Sequence, residues 1–437
     1  MSTIAEVKLW GRTVGAVALV DGEEIASFEY DRAFSGSGIE VAPLAMPLSE
    51  RVYSFPALAV PTFHGLPGLL ADSLPDRFGN ALIDAWLATQ GRPADSFNAV
   101  ERLCYTGTRG MGALEFSPVS GPQPRQSSRL QIDRLVQLAS DVLRERDGLR
   151  GTFADAARAD ALRDILRVGT SAGGARAKAV IAWHPGTNEV RSGQVKAAEG
   201  FGYWLLKFDG VGNNRDKELA DSQGFGAIEY AYYRMAADCG IQMSECRLFE
   251  EGGRRHFMTR RFDRLPDGGK LHMQSLGAMG HLDFNQAGAH SYEQALLVLR
   301  RLHRPPKEVE QLFRRMVFNI VARNQDDHVK NIAFLMDRAG RWSLAPAFDM
   351  TYSYQPTGKW TSRHQMTLNG KRDDFSLADL TACGEAVSMK RGQGKRILAD
   401  VQSVVSHWRD YADEARVFPT QRDQIQRALR LAPWTGQ

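Results

Sequence analysis

The sequence predicts an α+β protein with a mixed N-terminal unit, a strand-rich middle and a mostly helical second half. Three stretches carry that prediction. Val7–Leu19 (VKLWGRTVGAVAL) reads as strand, turn, strand. Ala177–Trp183 (AKAVIAW) and Gly202–Gly210 (GYWLLKFDG) read as apolar strands with a lysine at or near one end. From about residue 285 onward apolar residues recur at helical spacing, most clearly at 309, 312, 313, 316, 317, 320 and 321.

The elements follow in order. After the first strand pair, Ser27–Asp31 (SFEYD) reads as another strand. Phe63–Gln90 is punctuated by Gly and Pro and becomes helical from about Pro75, with Leu82, Trp86 and Leu87 on one face. Residues 106–130 read as a Gly/Ser/Pro-rich connector. An amphipathic helix starts at Ile132. Gly226–Ile241 is a further helix, with Ile228, Tyr232, Met235 and Cys239 aligned, and His256–Arg264 (HFMTRRFDR) reads as a strand. The expected domains are 1–105, 106–262 and 263–437. The hydrophobic fraction of 43% over 437 residues suffices for a large core. A net charge of +4 does not by itself point to nucleic acid. The four cysteines form no C-x-x-C pair and have no zinc spacing with histidine, so a reducing compartment is expected. The N-terminus lacks an apolar run of signal-peptide length, and no window approaches a membrane span, so the expected location is cytoplasmic.

The chemistry concentrates in Asn324–Asn331 (NQDDHVKN), delivered by the helix that ends near residue 321. Asp326 and Asn331 form D-x-x-x-x-N, the spacing with which protein kinases orient an acceptor hydroxyl and hold Mg²⁺. A strand–turn–strand pattern later, Asp349 stands where a second metal-binding aspartate belongs, and hard oxygen donors of this kind suit Mg²⁺. Upstream lie the other parts of an ATP site, in kinase order. Gly169–Lys178 (GTSAGGARAK) is a glycine-rich loop whose backbone N–H groups are suited to phosphate, with Ser171, Ala172, Gly173, Gly174 and Ala175 at its centre and Lys178 at its end. It is not a Walker A loop, because position 175 is alanine. Lys207 in YWLLKFD is costly in an apolar strand unless its ammonium meets anions. Glu229, at the start of the next helix, is the natural ion-pair partner for Lys207. Arg260, Arg261 and Phe262 fall where a hinge strand would offer backbone groups to adenine.

Each part alone has a plain structural reading: a loop, a snorkelling lysine, a solvated glutamate. Six parts in kinase order, each on the right type of element, make phosphoryl transfer the expected chemistry and a two-lobed protein-kinase-like fold the expected architecture. A kinase-like enzyme acting on a small molecule, and a catalytically silent co-repressor scaffold, stay open as alternatives.

The sequence resembles HipA, the serine/threonine kinase toxin family of type II toxin–antitoxin modules. The resemblance is carried by GTSAGGARAK, WLLKFDG, FMTRRFDR, HMQSLGA, NQDDHVKN and LAPAFDMTYS, with GLPGLLADSLPDRFG for the extra N-terminal subdomain. It implies Asp326 as the base-like aspartate, Asn331 and Asp349 as Mg²⁺ ligands, and Lys207 on the ATP phosphates. It also implies Ser171 as a serine autophosphorylated in trans, a modification that switches the kinase off. Its implied partners are a HipB-like helix-turn-helix antitoxin, operator DNA through that complex, and an aminoacyl-tRNA synthetase (glutamyl-tRNA synthetase in particular) as protein substrate. The chain departs from the family pattern at Ala177 and at Arg260. Within the motif, His328 reads as structural and Lys330 as a cation able to offset transferred-phosphate charge. The basic stretch Met389–Arg396 (MKRGQGKR) is a candidate for DNA phosphates or a solvated turn.

Overall fold

The computed structural model describes residues 2–121, 129–144, 164–166, 168–169, 176–194, 197–211, 223–432 and 434. Contacts divide the chain into two compact units. One comprises Met1–Gln223, Arg247–Gln274 and Met336–Arg341; the other comprises Gly224–Cys246, Ser275–Leu335 and Trp342–Gln437. Among the described residues no helix is long and apolar enough to cross a membrane.

The first unit holds two sheets. The N-terminal sheet has the order β3-β2-β1-β4, with β1 at Ser2–Leu9, β2 at Arg12–Val20, β3 at Ser27–Tyr30 and β4 at Leu114–Ser117. Strand β4 lies inside the stretch expected to be a plain connector, and pairs antiparallel with β1 from Glu6↔Ser117 to Leu9↔Leu114. Its four residues, LEFS, are too few to display a period of two against flanking glycines. Helix α1 (Arg77–Thr89) starts at Asp76, whose Oδ1 accepts from the Gly79 amide. Helix α2 (Ala99–Thr106) opens on a capping box between Asn98 and Glu101.

The second sheet has the order β6-β5-β7-β9-β8, formed by β5 (Lys178–His184), β6 (Glu189–Ser192), β7 (Gly202–Lys207), β8 (Cys246–Glu251) and β9 (Arg254–Arg260). Alternation sends Ala179, Ile181, Trp183, Trp204 and Leu206 into one core with Leu82 and Ile83 of α1. Leu135, Val136 and Ala139 of helix α3 (Ile132–Arg144) complete that core. The strand expected through Arg264 stops at Arg260. Arg261 donates two bonds to Asp263 and Arg264 a third, and the Gly112 amide also donates to it. The chain turns to close this buried cluster.

The second unit is mostly helical. Its labelled helices are α4 (Phe225–Asp238), α5 (Tyr292–Arg301), α6 (Pro306–Val321), α7 (Leu377–Ala386), α8 (Gln393–Val405), α9 (Trp408–Glu414) and α10 (Pro419–Ala428). Helix α6 has Pro at its first position, where a missing N–H costs nothing. It buries Val309, Leu312, Phe313, Met316, Val317, Ile320 and Val321, the stripe read from the sequence. Each such large side chain contributes about 1.5–3 kcal/mol relative to exposure. Beyond it stand the adjacent strands β10 (Ala333–Met336) and β11 (Trp342–Leu344). The mixed strand and helix content is that of a kinase-like α+β fold.

Candidate active site

Helix α6 ends where Arg323 adopts φ +58° and the Asn324 amide returns to the Asn319 carbonyl at 2.9 Å. The chain then runs without regular secondary structure through Gln325, Asp326 and Asp327 before a short helical turn at Val329–Asn331. This local course puts Asp326 and Asp327 on opposite errands. Asp327 is 3% exposed and faces inward. It accepts from Tyr292 Oη at 2.6 Å, from His364 Nδ1 at 2.7 Å and from the Gln365 amide at 2.7 Å. Burial alone would raise its pKa. The His364 ring and the Tyr292 and Gln365 donors together outweigh that and hold the carboxyl below its ordinary value.

Asp326 faces the other way, with 35% of its side chain exposed. Its Oδ1 accepts from the Trp360 indole at 2.7 Å, and His328 Nε2 lies at 3.8 Å. Burial raises its pKa, and the like charges of Asp349 and Asp327 add to the rise, against the lowering influence of His328 and Trp360. The Asn331 amide Nδ2 donates back to the Asp326 carbonyl at 2.8 Å, so the two ends of D-x-x-x-x-N are tied directly. That bond uses the amide's donor end and leaves its oxygen end to serve as an acceptor.

Asp349 sits in the left-handed region at φ +53°, an uncommon conformation for a residue with a side chain. The Asn324 Nδ2 group donates to its carbonyl at 3.3 Å. Asn324 also donates to Asn319 Oδ1, and Asn319 to Tyr292 Oη. One hydrogen-bond chain therefore runs from Asp349 through Asn324, Asn319 and Tyr292 to Asp327. Asn331 and Asp349 supply one amide oxygen and one carboxylate, with the charge of Asp349 bearing on Asp326. This donor set suits a hard divalent cation that takes its remaining ligands from phosphate and water. Among the described residues no group of three or more His, Cys, Asp or Glu side chains is arranged to hold a metal by itself, as a structural zinc site would require.

Around this loop, the His328 ring lies 5.7 Å from the Phe284 ring, and the Lys330 ammonium 5.2 Å from the same ring. Glu229 is 2% exposed on the second turn of α4.

In the first unit, Lys178 and Lys207 are direct partners across β5 and β7, so their side chains share one sheet face. Two ammonium groups so placed repel unless anions intervene. Lys178 is 1% exposed and has one such anion in Asp76, whose Oδ2 lies 2.9 Å from its Nζ. Asp76 thus caps α1 with one oxygen and neutralises Lys178 with the other. Replacing Asp76 by alanine should cost about 3–5 kcal/mol, because it strands a buried ammonium and uncaps α1. Chemical denaturation of the variant measures this. Lys207 is half-buried, with Nζ 5.7 Å from the centre of the Phe257 ring.

Of the residues expected near adenine, Arg260 is exposed at the end of β9. The Arg261 amide is already bonded to the Tyr203 carbonyl at 2.9 Å, and its side chain is buried on Asp263. Phe262 is half-buried in the turn that follows. Ser171, Ala172, Gly173, Gly174 and Ala175 lie outside the described residues. Lys390, Arg391, Lys395 and Arg396 of the basic stretch are exposed before and within the first turn of α8. Lys178 and Lys207 belong to the first unit; Glu229, Asp326, His328, Lys330, Asn331, Asp349 and the basic stretch belong to the second.

The fold is of the kinase-like α+β class. Two family models match it, the HipA N-terminal domain over residues 5–117 and the HipA-like C-terminal domain over residues 170–408. The chain belongs to the HipA family. A solved structure of HipA from Shewanella oneidensis MR-1, in complex with HipB and its operator DNA, matches with a TM-score of 0.67 at 15% identity. The match covers 97% of this chain and 96% of that one, which establishes the shared fold. Among curated proteins, "Putative kinase Y4mE" of Sinorhizobium fredii is 29% identical over 126 residues, covering 27% of this chain and 30% of that protein. A "Putative kinase" of Haemophilus influenzae is 28% identical over 134 residues, covering 28% of this chain and 39% of that protein. The chain therefore spans well under half the length of these curated relatives.

Proposed function

We propose that this protein is an ATP- and Mg²⁺-dependent serine/threonine protein kinase, acting as the toxin of a type II toxin–antitoxin module. The observation that carries the reading is the second-unit site itself. Asp326 accepts from the Trp360 indole, is tied through its backbone to Asn331, and lies within the field of Asp349. In this reading Asp326 receives the acceptor hydroxyl in hydrogen-bond range and takes its proton as the oxygen attacks. Asn331 and Asp349 hold the cation with their side-chain oxygens. A Mg²⁺ ion held there would supply positive charge to offset the negative charge that develops during phosphoryl transfer. Lys207 contacts the phosphates from the strand face it shares with Lys178, and Lys330 offsets charge on the transferred group.

The resemblance to HipA supports the finer assignments. The protein acceptor is an aminoacyl-tRNA synthetase, such as glutamyl-tRNA synthetase, and Ser171 is the autophosphorylation site. A phosphate dianion there would repel nucleotide phosphates from the same loop. A HipB-like helix-turn-helix protein is the antitoxin, with operator DNA bound through the complex and Met389–Arg396 as a basic surface beside it. Incubating the purified chain with ATP, Mg²⁺ and a panel of purified synthetases tests the acceptor. One phosphorylated synthetase is expected; a panel left wholly unmodified, with small-molecule acceptors phosphorylated instead, would contradict it.

A further inference from the structure

Trp360 belongs to none of the motifs that point to phosphoryl transfer. It lies between Gln355 and Arg363, a non-helical segment in which Pro356, Thr357, Lys359 and Arg363 are exposed. Its indole is nevertheless turned inward, with Nε1–H donating to Asp326 Oδ1 at 2.7 Å. The indole is the one side-chain donor among the described residues within hydrogen-bond distance of this carboxyl; His328 stands off at 3.8 Å. The Trp360 backbone is also held. Gln365 Nε2 donates to the Trp360 carbonyl at 2.5 Å, while the Gln365 backbone amide donates to Asp327 at 2.7 Å. The residue that helps anchor the inward aspartate thus fixes the backbone that orients the outward one.

We propose that Trp360 is a positioning residue for Asp326, an inference that rests on the kinase reading above. A carboxylate rotating freely presents either oxygen in many directions. With Oδ1 occupied by the indole, the rotamer is set and Oδ2 is the oxygen presented to an acceptor hydroxyl. Near-attack geometry of this kind decides rate more than affinity. The exposed segment around Trp360 therefore completes the site only when it is seated.

The test uses the full chain with Trp360→Phe, which keeps the aromatic body and removes the N–H. ATP turnover is expected to fall about tenfold to a hundredfold in kcat, with the KM for ATP unchanged. Trp360→His, which restores a ring N–H, should recover part of the loss. A second readout needs no activity. Hydrogen bonds to a charged acceptor are stronger than neutral ones, so Trp360→Phe should lower the melting temperature more in the Asp326 protein than in an Asp326→Asn background. Wild-type turnover in Trp360→Phe, or equal thermal shifts in the two backgrounds, would overturn the inference. If the wild type itself turned over no ATP, the kinase reading would fail, and the thermal comparison would still decide whether the indole holds the carboxylate.

Discussion

Asp326→Asn is expected to reduce phosphoryl transfer by about 10²–10⁴-fold and, at the same time, to raise the melting temperature near neutral pH. Both effects come from one feature. Burial, with Asp349 and Asp327 nearby, lifts the pKa of the Asp326 carboxyl in the folded chain. For an acid, a raised folded-state pKa means that the native state holds its proton more tightly than the unfolded state. Stability from this group is then present below its ordinary pKa near 3.8 and is lost as pH rises through the folded value. At pH 7 the ionised carboxylate is a net cost, which asparagine removes while still accepting the Trp360 bond. Thermal melts of both proteins from pH 4 to 7 should show the gap between them widen as pH increases. Equal melting temperatures throughout would show that the site carries no such strain.

Asp327→Ala should have the opposite character. It removes the acceptor from Tyr292, His364 and the Gln365 amide in a site 3% exposed. Breaking a buried pair on one side costs about 3–5 kcal/mol. Because Asp327 has a lowered pKa in the fold, its contribution is present above about 3.8 and is lost as pH falls through the lower folded value. Denaturant titrations should therefore show a large loss for Asp327→Ala at pH 7 that shrinks toward acid pH. The loss should extend to activity, since Asp327 anchors the hydrogen-bond chain that reaches the Asp349 backbone. A variant as stable as the wild type would refute the role given to this network.

The adjacent aspartates show what the sequence could and could not convey. The apolar stripe of α6 predicted the helix that delivers Asn324–Asn331, whereas the bond from the Asn331 amide to the Asp326 carbonyl was not foreseen. Strand β7 and helix α4 were legible for the same reason, periodic burial, and β5 because its short apolar run is buried nearly throughout. The spacing to Asn331 singles out Asp326, but nothing local shows that Asp327 is the buried anchor, because the partners that separate the two lie 34 to 38 residues away. Trp360 was invisible because it sits in a segment without a period. Asp76 was invisible as the anion for Lys178 because 102 residues separate them. The end of β9 at Arg260 was hidden likewise, since it depends on the Gly112 amide reaching Asp263 across 151 residues. Helical and strand periods report burial; they do not report which distant donor finds which carboxylate.

The most direct test of the central claim is the intact mass, with peptide mapping, of wild-type and Asp326→Asn protein after incubation with ATP and Mg²⁺. The account predicts an added phosphate in the wild type, mapped to Ser171, and none in Asp326→Asn. A wild-type chain that stays unmodified and consumes no ATP would contradict it.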